Sequence, residues 1–274
     1  MIKTAHECPK SIFKDVQRLT DYDYFLVHLF EEDPEYLKLA RASVASGRET
    51  ILDNSIFELG EAFDMQKFAD WVNDLKPTYY IVPDVLDSAE GTKANMSRWC
   101  SEFRDKIDPK CKMIGVVQGT TYREIKDCYK FMDKEAKADK IAFSFDSKFY
   151  ENIVPHSNKL VSWMMGRRLL LTWLLRDGII NKNKPVHLLG AGLVEEFKYY
   201  RGKDFEWIDS VDTSSPVIFG MKCGTYDPQS GNSWKPSEKL YTLINANLSQ
   251  MQKANVKSNI LMFREFCNST WYSE

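Results

Sequence analysis

Short runs of β-branched and aromatic residues alternate along the chain with longer stretches whose apolar positions recur at helical spacing. Phe25 to Phe30 (FLVHLF) has the pattern of a strand, and Pro34 to Arg48 then follows the helical period. Thr50 to Asn54 predicts a second strand, followed by a helix over Asp64 to Leu75 with Phe68, Trp71, Val72 and Leu75 on one face. Tyr79 to Val85 is the third strand, before a helix across Thr92 to Phe103. Met113 to Gln118 is the fourth, before a helix from Tyr122 to Lys134. Lys140 to Phe145 is the fifth, and an irregular stretch, Asp146 to Lys159, leads into an apolar helix over Trp163 to Leu175. Val186 to Gly190 is the sixth strand and Trp207 to Asp212 the seventh. The eighth falls to Val217 to Met221, before a closing helix over Glu238 to Lys253. Such alternation predicts βαβ units and a parallel sheet. The near-continuous apolar strands fit a sheet covered on both faces.

With seven or eight units and no Gly-rich dinucleotide fingerprint, a closed (β/α)8 barrel of the TIM type is favoured over an open sheet. The 274 residues, 43% hydrophobic and 28% charged, suit one such barrel, which needs about 250 residues. A single domain over residues 1–274 is therefore expected. Asp227 to Pro236 (DPQSGNSWKP) reads as a surface loop from its turn residues. The formal net charge of −2 argues against a protein that grips a long duplex through its phosphates, so any nucleic-acid contact is expected to be local. Six scattered cysteines show neither C-x-C nor C-x-x-C spacing, which predicts reduced thiols with no metal site and no disulfides. No apolar run is long enough for a membrane span, and Met1 to Lys10 has no signal-peptide core, so a cytoplasmic location is expected.

Catalytic groups of such barrels sit at the C-terminal ends of the strands. Asp53, Asp84, Gln118 and Asp212 each end a predicted strand. Any one of them could merely cap the next helix. Four on four strands would converge on one mouth. One Asp can attack an anomeric carbon while another moves the proton of the departing group. Asp and Gln together present acceptors and donors suited to the edge of a planar heterocycle. Glycosidases also use two carboxylates, so these residues by themselves leave sugar and nucleobase chemistry both open.

The run Asp209-Ser210-Val211-Asp212-Thr213-Ser214-Ser215-Pro216 resembles the D-S-F-D-C-V-x-P segment of the tRNA-guanine transglycosylases. Four further motifs follow that family's order. Leu52-Asp53-Asn54-Ser55-Ile56-Phe57-Glu58 is similar to S-D-S-G-G-[FY]-Q, and Val82 to Leu86 is similar to the segment whose Asp reads the base edge. Val116-Val117-Gln118-Gly119 is similar to V-Q-G-G, and Leu188-Leu189-Gly190-Ala191-Gly192 to L-M-G-V-G. The resemblance spans Thr50 to Pro216 and implies a pentosyltransferase that exchanges a guanine for a 7-deazaguanine. Asp212 would be the nucleophile that forms a covalent glycosyl-enzyme, and Asp53 the general acid/base. The base would lie between Phe57 and Leu189, read by Asp84 and Gln118, with Ser144, Phe145 and Gly190 lining its pocket.

The departures narrow the expectation. Ala142 to Asp146 replaces the family's G-G-L-x-V-G-E turn, Ile56 replaces a pocket glycine, and the arginine after the family's Pro-Thr is missing. The cysteine-rich zinc subdomain is absent, as in the zinc-less phage enzymes that modify DNA. DNA is thus favoured over tRNA as the polymer, with a free 7-deazaguanine as co-substrate and no cofactor. The need for a protein partner stays open. So do a hydrolytic glycosylase and a non-catalytic nucleobase-binding barrel.

Other residues have plainer readings. Arg167-Arg168 could touch phosphate but suits a solvated helix face. His156 could line the mouth, but as a lone loop histidine it suits the surface, and His187 suits the interior better than a catalytic base. Trp163 and Trp173 have the spacing of core residues. Lys182, Lys184, Lys222 and Lys235 fit a phosphate track or ordinary solubility equally.

Overall fold

A computed structural model describes residues 1–268 of the chain. Eight strands form one all-parallel sheet: β1 (Lys3–Ala5), β2 (Asp23–Leu26), β3 (Thr50–Asp53), β4 (Tyr79–Ile81), β5 (Lys112–Val117), β6 (Lys140–Ser144), β7 (Val186–Leu189) and β8 (Ile208–Asp212). Their order, β1-β8-β7-β6-β5-β4-β3-β2, leaves β1 and β2 at the two ends of a nearly closed barrel. Asp21 spans the gap: its N–H donates to Thr4 O at 2.9 Å, and its carboxylate accepts the Thr4 N–H at 2.8 Å. The barrel interior is filled across that gap as well. The Tyr24 ring from β2 stacks on His187 from β7, centroids 6.1 Å apart, although these strands are far apart in the sheet order. The mixed α/β architecture matches the (β/α)8 expectation.

The helices form where local chemistry starts them. Asp64 caps Met65–Leu75, which buries Met65, Phe68, Ala69, Val72 and Leu75 against the sheet. Thr121 and Glu124 make a capping box at the start of Tyr122–Lys130. Asn158 caps the long helix Lys159–Arg176. Among the described residues no helix is long and apolar enough to cross a membrane.

Several assignments from the pattern change. The first strand is Lys3–Ala5, too short and too poor in large apolar residues to show a period. Phe25–Phe30 is a strand only to Leu26, and His28–Glu32 is a helix. Val217–Met221 is not a strand but part of the helix Ser215–Met221, started by Pro216. Its residues are all buried, and a helix apolar on every side has no amphipathic period to read. The closing helix is Gln250–Asn268, and the segment expected to begin it, from Glu238, is irregular except for one turn at Leu240–Leu243.

Candidate active site

The strand ends converge as the barrel requires. A cavity of about 390 Å³ opens at the C-terminal face of the sheet, lined by Asp53, Phe57, Asp84, Ser144, Phe145, Leu189, Gly190 and Asp212, among others. That size lies in the range of about 300–1,000 Å³ typical of small-molecule sites. Gln118 stands behind the wall instead. Its Nε2 donates to Asp84 Oδ2 at 2.8 Å, while Asn54 Nδ2 donates to Asp84 Oδ1 at 2.9 Å. The two amides fix the plane of the Asp84 carboxyl, and Gln118 therefore positions rather than lines. Burial pushes the Asp84 carboxyl up, and these two hydrogen bonds pull it back.

Asp212 ends β8 and is 6% exposed. Its Oδ1 accepts from His187 Nε2 at 3.0 Å and from the Gly190 N–H at 3.2 Å. Oδ2 accepts no hydrogen bond among the described residues, which leaves it for a new bond. Gly190 reaches Asp212 from a left-handed turn, φ 68°, that favours glycine. A register shift in the β7–β8 ladder between Val186 and His187 sets the histidine opposite Ser210. Lys140 Nζ donates to Ser210 Oγ at 3.2 Å, and Ser210 Oγ lies 3.0 Å from His187 Nδ1. The ammonium can only donate, so the serine hydroxyl donates onward to Nδ1 and the histidine carries its proton on Nε2, facing Asp212. Burial lowers the His187 pKa and keeps the ring neutral. His187 is thus interior, as expected, but it is also the residue that orients Asp212.

Asp53 ends β3 in a different setting. Tyr24 Oη donates to its Oδ2 at 2.6 Å and the Ser55 N–H to its Oδ1 at 3.1 Å. Burial, with Glu58 close by, pushes its carboxyl up to about 8. The chain then turns through Ser55 in a left-handed conformation, φ 61°, unusual for a residue with a side chain, into the short helix Ile56–Leu59. This turn presents Phe57 and Glu58 to the cavity. Burial raises the Glu58 carboxyl to about 7, and its Oε2 is buried with no hydrogen-bond partner among the described residues. Glu7, just past β1, also lines the cavity, and burial and neighbouring Glu58 push it well above the usual carboxylate range. Protons are therefore shared among these acids near neutral pH. Among the described residues no group of three or more His, Cys, Asp or Glu is arranged to hold a metal ion.

The segment Asp227–Pro236 is a surface loop, exposed at 227–230 and 233–234, and it leads into a strap along the cavity wall. Residues 227–231 close a turn, and the buried Asn232 behind it is tied to Val194 N–H, Gly192 O and Trp234 O at 2.7–3.0 Å. Residues 235–240 then form one wall of the cavity. Lys239 Nζ donates to Phe57 O at 2.9 Å and lies 4.9 Å from the centre of the Phe57 ring, covering one of its faces. Lys222 and Glu238 form an ion pair that tethers the same stretch.

Several side residues resolve. Arg167 is fully buried and pairs with Glu196, also donating to the carbonyls of Phe143, Leu189 and Gly190. It braces the wall that holds Gly190 and is in no position to touch phosphate, while Arg168 stacks on Tyr199. Trp163, expected in the core, reaches the cavity wall and packs its edge against Phe145, whereas Trp173 packs on Tyr122. His156 is exposed. The four-lysine track dissolves: Lys182 and Lys184 precede β7, at the opposite end of the barrel, and pair with Asp204 and Asp133. Lys235 alone of the four lines the cavity.

Glu7, Glu58, His187, Lys235 and Tyr24 are the site residues that strand-end reading passed over. Glu7 follows β1, which is too short to show a period, and Glu58 lies in the short helix that follows β3. No protein-family model and no curated protein sequence matches the chain.

Proposed function

We propose that this protein exchanges a guanine in a polynucleotide for a 7-deazaguanine through a covalent link to Asp212. The observation that carries this reading is the contrast between two carboxyls in one cavity. Asp212 has one oxygen tethered and the other open, as a nucleophile needs, while Asp53 holds a proton at neutral pH, as a general acid needs. The target nucleotide enters with its base out of the stack, since C1′ is otherwise shielded. The base lies between Leu189 and the open face of Phe57, its edge against Asp84. Asp212 Oδ2 forms a bond to C1′ as the C1′–N9 bond breaks, and Asp53 gives its proton to the departing guanine. The incoming 7-deazaguanine returns a proton to Asp53 and attacks C1′, freeing Asp212. Atoms balance with no further reactant. DNA is favoured over tRNA because the chain lacks the cysteine-rich segment of the tRNA enzymes.

Two measurements test it. Wild-type protein incubated with a guanine-containing oligonucleotide is expected to give a denaturant-stable adduct, and Asp212→Ala none. An adduct that persists in the variant would remove Asp212 from its role. Labelled free guanine is expected to enter the oligonucleotide. Release of base without incorporation would mean water is the acceptor and the protein a hydrolase.

A further inference from the structure

The cavity is strongly acidic. Seven carboxyl groups line it, of which burial holds Glu7, Asp53 and Glu58 toward the protonated form, and the cations on its wall are two, Lys235 and Lys239, both on the strap. Lys222 is tied to Glu238, and Lys182 and Lys184 to acids at the far end of the barrel. Lys235 differs from them. It takes part in no ion pair or hydrogen bond among the described residues, and the charges it feels are those of Glu7, Asp212, Asp146 and Glu58. Asp212 ends β8 and the other three follow β1, β6 and β3, so the half-buried ammonium faces acids brought by four different strands. Lys239 gives Phe57 O a full hydrogen bond and Glu58 O a longer one at 3.4 Å. An ammonium has three protons, so one remains.

A base that reaches the barrel interior leaves its sugar–phosphate outside, on the side of the strap. Phosphates brought against the ionised carboxylates among these groups must meet a cation there, or repulsion would hold the strand away. We propose that Lys235 and Lys239 clamp the phosphodiesters that flank the exchanged nucleotide, with the strap serving as the strand-binding element of the site. The clamp rests on the base-exchange reading for the choice of ligand.

The salt dependence of binding tests it. Affinity for a single-stranded, guanine-containing oligonucleotide is measured by fluorescence anisotropy between about 50 and 200 mM salt. The slope of log affinity against log salt is expected to fall by about 0.7 in Lys235→Gln and by about 0.7 again when Lys239→Gln is added. Lys235→Arg is expected to keep the wild-type slope. A double variant with the wild-type slope, or a wild type that does not bind the strand, overturns the clamp. Deoxyguanosine 5′-monophosphate is the second probe. If only its affinity depends on the lysines, the cations serve a free nucleotide and the clamp on a strand is overturned. Exchange of labelled guanine by the wild type reports separately on the chemistry: its failure with the slopes as expected would sink the base exchange and leave the strand clamp standing.

Discussion

At the scale of single residues, the site works by giving like groups unlike surroundings. Asp53 and Asp212 are both strand-end aspartates, and nothing in their own chemistry separates them. Burial and Glu58 favour the protonated form of Asp53 against the opposing hydrogen bond from Tyr24, while His187 and Gly190 orient Asp212. A pH dependence follows. Asp53 carries its proton below about 8, so adduct formation in a single turnover is expected to be level below that pH. It should then fall about tenfold per unit above it. Asp53→Asn should abolish that limb; a rate that instead rises through pH 8 would mean Asp53 acts as a base in this step. The same shift bears on stability. The unfolded carboxyl titrates near about 3.9, so between there and about 8 the folded protein binds a proton that the unfolded chain does not. Stability from this group is full at low pH and is lost as pH rises through that window.

At the scale of elements, the strap is the part whose role depends on one backbone position. Gly231 has φ 73°, and a Cβ there would lie 2.2 Å from Val194 Cγ1. Both the conformation and the space exclude a side chain. Asn232, the next residue, carries the hydrogen bonds that hold the strap to the barrel. Gly231→Ala is therefore expected to lower unfolding free energy by about 1–3 kcal/mol in denaturant titration. It should also weaken oligonucleotide affinity by displacing residues 235–240. Loss of stability with unchanged affinity would show that the strap's placement does not govern binding.

At the scale of the whole molecule, the barrel is braced where the site needs rigidity. Arg167 and Glu196 are both fully buried, and Tyr200 Oη donates to Glu196 Oε1 at 2.6 Å. The guanidinium also holds the carbonyls at the ends of β6 and β7, and so fixes Gly190 beside Asp212. Breaking such a pair leaves an uncompensated buried charge and costs about 3–5 kcal/mol. Arg167→Met is expected to destabilise the fold by that amount, and adding Glu196→Leu to restore part of it. No recovery in the double variant would mean that the carbonyl contacts, not the charge pairing, carry the effect.

The strand-end aspartates at 53 and 212, Asp84 just beyond β4, and most of the alternation that makes a parallel barrel were legible from the residues because strand ends and helical faces are local patterns. β1, the buried helix Ser215–Met221 and the strap were not. The first is too short to show a period, the second is apolar on every side, and the third is recognised only by what it lies across. Sequence by itself therefore determined the parallel α/β alternation and the candidate carboxylates at 53, 84 and 212. Tertiary structure decided which oxygen of Asp212 is open, that Asp53 is protonated, that Gln118 stands behind Asp84, and that Glu7, Glu58 and Lys235 join them. The reason is physical: a carboxyl's proton and a lysine's partner depend on burial and on charges that distant segments bring, and no local pattern records those distances.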